Sequence, residues 1–410
     1  MTLIPVQDND TTNYTPIVPL TLAVNDYTVP NMAVLVGGRE YTRFKSYSIS
    51  RSVDDICGSF SLVLTTPLNN PFELDSVIDI FIDSKQVMRG KVYSVEKTTD
   101  NNINDLMIYG RDITGDLIDS TVPDSCKTFL AVNDGVTTLS IFDIAVSMIE
   151  AAGMSKLISC INKAGVIEPF SSDEIIVYRF GDTISDHLTR YCRKRQLFLN
   201  TDEMGNLVFF RATGSDNKNC LYAQYNGKNN NVISRSTKNS IHDRFYKYIC
   251  RSQDAGNWGT ILSALGLGED DEDRDIDANG EAFDRSPDIK NTFRVLEFKL
   301  EKGGNDADCT GRAIEEAGLR RARAFRYSAT VRGYSDIAPW SVDQIVKIVD
   351  DFAGIYGFLY LAAVEYRYDL DGGKTTRLEL SYLDAYSLIA AQQSSVEEAK
   401  QNRASNTGRW

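Results

Sequence analysis

The sequence predicts a mainly β protein with α+β character, in which two related antiparallel β-barrel domains accompany an α/β middle domain and an acidic insertion. Two observations carry this prediction: apolar and polar residues alternate with strand spacing along much of the chain, and one β-rich segment occurs twice. With 410 residues, the chain also exceeds the size at which a single core keeps growing. Several domains are therefore expected.

The first thirty or so residues are rich in Thr, Asn, Asp and Pro and show no stable periodicity. This composition predicts an N-terminal arm that is ordered only by contact. From Val34 the pattern changes to strand, because Tyr47 and Ile49 alternate with serines, as Phe60 and Leu62 also do. Further alternating segments and a polar turn follow, so a small antiparallel sheet, large enough to close, is predicted.

The middle of the chain combines helical and strand patterns. Residues 139–153 space their apolar side chains for a helix and end on a glycine suited to its C-terminus. Asp182 or Thr183 is placed to cap a second helix that extends to about Arg195, and a hairpin turns near Gly205. An α/β middle domain is therefore expected.

Strand patterns return after Asn231, but residues 253–290 are acidic and glycine-rich and predict a surface insertion. Between residues 308 and 326 an exposed helix is expected, with Glu316 and Arg320 one turn apart. The predicted division is an arm at 1–33, a first barrel domain at 34–122, an α/β middle domain at 123–214, a second barrel domain at 215–252 and 325–390, an acidic insertion and helix at 253–324, and a C-terminal tail at 391–410.

The repeated segment starts at Ile78 and again at Val346. Each copy consists of a strand, a tight connection, a glycine, a strand, a polar turn and a strand, and Gly90 and Gly357 fall at nearly the same offset. The hairpin turns lie at residues 101–102 and at the glycine pair 372–373. The alternative is that two unrelated antiparallel meanders share this pattern.

Charge and composition exclude several classes of protein. Of the net charge of −13, residues 269–284 contribute −8 through nine acids and one arginine, which leaves −5 for the rest. A nucleic-acid binder needs clustered basic residues, so this charge argues against one. We find no secretion signal and no apolar stretch long enough to insert in a membrane. The seven dispersed cysteines, which include no CxxC pair, indicate reduced thiols.

The sequence predicts no catalytic residue and no cofactor site. Only two histidines are present, His187 in a predicted helix and His242 near a strand start, and neither lies in a nucleophile motif. His187 and Cys192 are five residues apart on a helix and face different sides. Acidic residues are abundant, however, and sequence does not define their separation, so a carboxylate pair for glycoside cleavage remains open.

One string resembles a metal site. Asp275, Asp277 and Asn279, followed by Gly280, match the first half of a calcium loop and are the candidate metal ligands. Ser286 stands where a bidentate glutamate is required, so solvation of the acidic run is the default interpretation. Four arginines near the end of the late helix either bind an acidic partner or face solvent; they are Arg320, Arg321, Arg323 and Arg326.

Residues 41–67 and 109–122 resemble the Mu-type tail protein P family, the hub proteins of contractile phage tails. The matching positions are Gly38, Tyr41, 51–54, Gly110, Arg111 and 115–119. Stretches in the predicted middle domain and second barrel are also similar, so the resemblance covers about residues 34–386. The N-terminal arm is longer than this family suggests, and the acidic insertion has no counterpart in it.

The resemblance implies a non-enzymatic baseplate hub in which three chains, each with two tube-type barrels, form a six-fold-like ring at one end and a three-fold ring at the other. Its expected partners are a second and third copy, the tail tube, the tail spike, the tape measure and other baseplate proteins. DNA would pass without specific binding. The expected location is the baseplate of the virion tail, after assembly in the host cytoplasm. The alternatives are a tail-associated cell-wall hydrolase or the equivalent hub of a phage-derived secretion or bacteriocin particle.

Overall fold

A computed structural model describes residues 32–65, 70, 72–100, 104–126, 139–170, 176, 180–195, 197–252, 278–300, 306–334, 339–383 and 386. These residues form nineteen strands and four helices, so the prediction of a mainly β chain with α+β character is confirmed. The chain divides into two compact units. Unit 1 contains Met1–Arg211, Arg332–Tyr334 and Ala363–Arg377, and unit 2 contains Ala212–Val331, Ser335–Ala362 and Leu378–Trp410.

Unit 1 begins with a meander of antiparallel strands. They are β1 (Met32–Val36), β2 (Arg39–Tyr41), β3 (Ser46–Ser52), β4 (Ser59–Thr65), β5 (Val77–Ile82), β6 (Lys85–Thr99) and β7 (Asn104–Asp112). Their spatial order is β3-β4-β7-β6-β5-β1-β2. Alternate residues face one core, in which Leu62, Ile80 and Ile108 are fully buried. The strand alternation predicted for this region is thus confirmed.

The rest of unit 1 mixes helices and short strands. The elements are α1 (Gly115–Asp119), α2 (Ile141–Ala151), β8 (Cys160–Asn162), α3 (Ile184–Lys194), β9 (Phe198–Thr201) and β10 (Leu207–Phe210). β10 lies between β8 and β9, parallel to the first and antiparallel to the second. These elements share one apolar core, which includes Ile144, Leu188 and Phe209.

Both longer helices of this region begin at capping boxes. Ser140 accepts a hydrogen bond from the Asp143 N–H of α2, and the Asp143 carboxylate accepts one from the Ser140 N–H at 2.9 Å. Thr183 and Asp186 make the same reciprocal pair at the start of α3. Each box satisfies two N–H groups that the first turn leaves without helical partners. The predicted helices, the cap at Thr183 and the hairpin at Gly205 are confirmed.

A second set of six strands lies mostly in unit 2. Its strands are β11 (Ser215–Ala223), β12 (Val232–Asn239), β16 (Phe325–Arg332), β17 (Gln344–Asp350), β18 (Ile355–Asp369) and β19 (Gly373–Ser381). The spatial order is β12-β16-β19-β18-β17-β11. By the division given above, the last residue of β16, the second half of β18 and the first half of β19 are counted in unit 1.

Between β12 and β16 the chain forms a small α+β layer. Its strands are β13 (Lys247–Ser252), β14 (Ala278–Phe283) and β15 (Val295–Lys299), and its helix is α4 (Asp306–Ala324). β13 is central, and Tyr248 and Cys250 pack with Cys309 and Ala313 of the helix. Gly280 lets the helix approach, because a β-carbon there would overlap the Cys309 and Thr310 backbone. The predicted late helix is confirmed, whereas β14 lies inside the stretch that we expected to be a surface insertion.

Candidate functional site

The most informative feature of the chain is a strand unit that occurs twice. Six strands of unit 1, taken in chain order, correspond to the six strands of the second set, also taken in chain order. The pairs are β1 and β11, β3 and β12, β4 and β16, β5 and β17, β6 and β18, and β7 and β19. If the strands of each set are numbered 1 to 6 along the chain, both sets have the spatial order 2-3-6-5-4-1. The duplication inferred from sequence therefore extends to topology.

The lengths of the strands support this correspondence. β6 and β18 each have 15 residues, and β7 and β19 each have 9. The preceding strands, β5 and β17, run antiparallel to them and end opposite the first residue of the long strand, at Ile82↔Lys85 and at Asp350↔Ile355. Two unrelated meanders would not be expected to agree in order, direction and length together. We define these two sets of strands as the first and second repeat.

The repeats also differ in identifiable ways. β1 runs antiparallel to β5, whereas β11 runs parallel to β17. Gly90 and Gly357 are not equivalent, because Gly90 is the sixth residue of β6 and Gly357 is the third of β18. A β-carbon at Gly90 would lie 2.9 Å from Phe60 Cε1, while Gly357 has no atom within 4 Å of that position. The glycine offset read from sequence is therefore a coincidence.

Within unit 1, the second half of β18 lies beside β3. Residues Ala363–Asp369 pair antiparallel with Ser46–Ser52, and the Ser48 hydroxyl donates a 2.6 Å hydrogen bond to Glu365. Tyr47 contributes a second contact, because its ring centroid lies 5.5 Å from that of Tyr368. β3 thus has a strand on both sides, with β4 on the other.

The family-like motif residues converge on one buried carboxylate in unit 1. Asp112 accepts hydrogen bonds from Arg51 at 2.9 Å and from the Gly58 N–H at 2.7 Å. Arg51 also donates to the main-chain oxygen of Asp202 in the β9–β10 turn, at 3.0 Å. Burial raises the pKa of Asp112 to about 6, against the lowering effects of Arg51 and of Gly58. These residues tie the first strand meander to the middle elements of unit 1.

Gly110 of the motif is required by close packing. A β-carbon there would overlap the Lys91 main-chain oxygen and lie 2.6 Å from Phe60 Cε1. Neighbouring motif residues make surface contacts: Arg111 pairs with Asp119 and lies 4.3 Å over the Tyr93 ring, and Lys91 bonds Asp116 at 2.7 Å. The motif therefore stabilises the junction of β6, β7 and α1.

The two histidines occupy different environments. His187 is fully buried in α3, 4.9 Å from the Tyr191 ring, and His242 is exposed beside Asp243. Burial raises the pKa of the Cys192 thiol, which suits a structural cysteine and opposes formation of a thiolate nucleophile.

Two of the candidate calcium ligands, Asp275 and Asp277, lie outside the described residues. Asn279 is the second residue of β14, and its main-chain N–H donates to Asp306 at 2.9 Å. Among the described residues no cluster of three or more His, Cys, Asp or Glu side chains is placed to hold a metal. Within the same residues, no helix is long and apolar enough to cross a membrane.

The arginines at the end of α4 have partners within unit 2. Arg320 bonds Glu316 at 2.7 Å and lies 5.4 Å from the Phe245 ring centroid, and Arg321 lies 5.5 Å from that of Tyr382. The predicted Glu316–Arg320 pair is thus confirmed. The contacts of these two side chains hold the C-terminal end of α4 to neighbouring residues of unit 2.

Sequence reasoning missed an exposed aromatic group in unit 2. Tyr225, Phe352, Tyr356 and Phe358 are each more than half exposed, and Tyr225 and Phe352 pack edge to face with centroids 4.4 Å apart. Arg235 lies 4.0 Å over Phe352 and pairs with the buried Asp350 at 3.2 Å. The available signal was the spacing of Tyr356 and Phe358, which places both aromatic side chains on one face of β18.

Comparison with known proteins agrees with this geometry. Residues 31–112 match the family described as Mu phage baseplate assembly protein GpP-like, N-terminal. A search of curated proteins finds no match. Among solved structures, the 43 kDa tail protein of prophage MuSo2 from Shewanella oneidensis is 20% identical, with a TM-score of 0.71 over 87% of this chain and 99% of that one.

Two further structures share the fold. The tail protein from Neisseria meningitidis MC58 is 20% identical, with a TM-score of 0.69 over 88% of this chain and 98% of that one. The E. coli c3393 protein, a type VI secretion component described as similar to two T4 bacteriophage tail proteins, is 8% identical, with a TM-score of 0.52 over 86% of this chain and 78% of that one.

Residues 31–112 thus match a baseplate assembly domain, and the chain shares its fold with prophage tail proteins of known structure. Residues 31–112 form a GpP-like N-terminal domain of the Mu phage baseplate type. The resemblance to the Mu-type tail protein family, inferred from residues such as Arg51 and Gly110, is thereby confirmed.

Proposed function

We propose that this chain is the central hub of a contractile tail baseplate and that it acts as a homotrimer. The observation that carries the proposal is the pair of strand repeats. Three chains with two similar repeats each offer six similar surfaces around one axis. Such a ring matches the six-fold symmetry of a tail tube. The regions that differ between repeats, including the β13–β15 layer and α4, then supply the three-fold features that a trimeric spike requires.

The proposed partners follow from this geometry. One face of the ring contacts the tail tube and the other contacts the spike, with the tape measure and other baseplate proteins nearby. DNA passes through the ring without specific binding, which the mild negative charge outside residues 269–284 favours. The complex is proposed to assemble in the host cytoplasm and to end in the baseplate of the virion tail.

We propose further that the role is structural and not enzymatic. One support is that the matched domain belongs to a baseplate assembly family. The other is that Asp112 and Arg51 bind each other in a buried structural contact. Zymography on peptidoglycan tests this proposal against the tail-associated hydrolase. The expected result is no clearing. The proposal would be contradicted if the purified chain cleared the peptidoglycan and substitution of its acidic residues by amides abolished that clearing.

The same architecture in a phage-derived secretion or bacteriocin particle is the second candidate function. The fold similarity to the type VI secretion component favours keeping it. For both candidate functions we also propose a division into domains at 34–122, 123–214 and 215–390, the last of which carries an insertion at 253–324. Limited proteolysis with mass spectrometry tests the division, because cleavage should concentrate at these limits.

Solution mass tests the trimer. The chain is expressed alone and together with its spike, and each sample is measured by light scattering. The expected result is three chains per particle, at least in the presence of the spike. A monomer that persists with the spike bound would contradict the proposed function.

A further inference from the structure

The two repeats predict where one copy of the chain joins the next. In unit 1, β3 of the first repeat pairs with the second half of β18, a strand of the second repeat, in the register Tyr368↔Tyr47. By the correspondence of strands, the counterparts of β18 and β3 are β6 and β12. A pairing of β6 with β12 would therefore reproduce the same junction with the repeats exchanged.

The relevant edges of β6 and β12 have no strand partner in the described chain. β5 pairs with β6 only between Lys85 and Lys91, so residues Ser94–Thr99 pair with β7 alone, and Tyr93 is the bulged residue before them. β12 pairs with β16 alone and lies at the end of its sheet. Most residues on both segments are exposed. Each edge presents unpaired N–H and C=O groups, which natural proteins normally cover or protect.

We propose that Tyr93–Thr99 of β6 in one copy pairs antiparallel with Ile233–Asn239 of β12 in the next copy. The proposal rests on the proposed function, because it assigns the interface of the trimeric ring. Three identical junctions between copies then alternate with three junctions formed within chains, and every β3-type edge in the ring is covered. The ring closes because each copy offers one edge of each kind.

The register follows from matching strand ends. β6 and β18 have equal lengths, and the seven residues of β3 match the last seven of β12. The pair Tyr368↔Tyr47 then corresponds to Thr98↔Ser234. In this register Glu96 lies diagonal to Lys238, within reach of a favourable charge interaction. Lys97 lies opposite Arg235, whose guanidinium is already held by Asp350 at 3.2 Å.

The composition of both segments suits a junction that forms only between the intended partners. Neither segment contains proline, which would remove an N–H from the ladder. Both consist mainly of Ser, Thr and charged residues, with few large apolar side chains. Main-chain hydrogen bonds would therefore supply the pairing, and the charges would limit pairing of each edge with itself.

Cysteine cross-linking tests the junction in the complex of the full chain with its spike. The test variant carries Thr98→Cys and Ser234→Cys, because directly opposite residues have β-carbons about 4.5–5.5 Å apart. The register control carries Thr98→Cys and Lys238→Cys, which the proposal places four residues, roughly 14 Å, out of register. The two single variants and the parent chain report any background from the seven native cysteines.

Mild oxidation is followed by non-reducing electrophoresis of the denatured complex. The expected result is a covalent trimer for the test variant, at least ten times more than for the register control, with no species larger than three chains. The inference is overturned if the particle contains three chains by mass but the test variant gives no covalent trimer, or if the control cross-links equally. A monomeric chain in the same mass measurement would instead overturn the proposed function.

Discussion

Gly110→Ala tests whether the packing of the first repeat depends on the glycine of the family motif. Gly110 lies in β7, and its hydrogen occupies space bounded by the Lys91 carbonyl and the Phe60 ring. An alanine methyl group there would overlap the Lys91 oxygen and approach Phe60 Cε1 to 2.6 Å. Main chain and ring must both move, because the ring is itself buried in the core of unit 1.

The expected cost can be worked from this geometry. Overpacking a well-filled core by one methyl group costs about 1–3 kcal/mol, and a clash with main chain belongs at the upper end. With a urea dependence of about 2 kcal/mol per molar, a cost of about 3 kcal/mol lowers the denaturation midpoint by roughly 1.5 M. Circular dichroism in the strand region follows the transition, which need not be a single step in a chain of two units.

Gly357→Ala is the matched control from the second repeat. No atom lies within 4 Å of the added β-carbon at that position. The substitution should therefore leave the midpoint unchanged or raise the stability by up to about 1 kcal/mol, through reduced entropy of the unfolded chain. Equal midpoints for the two alanine variants would refute the reasoning, because only one of the two sites is closed.

Three further predictions follow from the buried groups and the helix end. The pKa of Asp112 is raised to about 6 from an ordinary 3.8. The contribution of this carboxyl group to stability is therefore fully present below pH about 4 and is lost as pH rises through 6, by roughly 3 kcal/mol. Asp112→Asn has no such loss, so its free energy of unfolding should gain on that of the parent between pH 4 and pH 7 in urea titrations. The Cys192 thiol, whose pKa burial raises, should react with a maleimide only after unfolding, as read by peptide mass spectrometry. Arg320→Ala should lower the free energy of unfolding by no more than about 1 kcal/mol in the same titrations, because its partner Glu316 is on the same helix.

Each of these predictions has an outcome that contradicts it. A stability difference between Asp112→Asn and the parent that stays constant with pH would show that the carboxyl group titrates normally. Labelling of Cys192 in the folded chain at the rate of an exposed thiol would show that its burial is transient. Loss of the folded state in Arg320→Ala would assign the arginine a much larger role than one partly exposed ion pair can have.

Local chemistry made much of the fold predictable. The two capping boxes are visible in sequence as a serine or threonine followed three residues later by an aspartate, at Ser140 and at Thr183. Period-two alternation likewise identified β3, β4 and β5, since each buries one face. These signals depend only on residues within one turn or one strand, which is why sequence contains them.

The parts that were missed depend on distant residues. Nothing local shows that β14 completes a sheet with β13, because its short alternation follows directly on an acidic run. The tight site of Gly90 depends on Phe60, thirty residues away, so it could not be told from the open site of Gly357. The order of the strands in each repeat is also non-local. Sequence suggested the duplication through a shared order of strands and turns, which the strand topology supports, and through a glycine match, which the structure does not support.

For the buried polar residues of the candidate site, the sequence predicted membership of a motif but not their contacts. The resemblance selected Arg51 and residues 110–111, but the partner of Arg51, the buried Asp112, was recognised only from its hydrogen bonds. The exposed aromatic group around Phe352 had no matching motif, since an aromatic residue in a strand is normally assigned to the core.

The central claim is that three chains supply six similar strand units around one axis. Electron cryomicroscopy of the chain bound to its spike tests this claim most directly. The expected map shows a ring of three chains in which the first and second repeats alternate as six similar β densities, with β6 of each copy beside β12 of the next. A particle with another number of chains, or one in which the two repeats lie in separate rings, would contradict it.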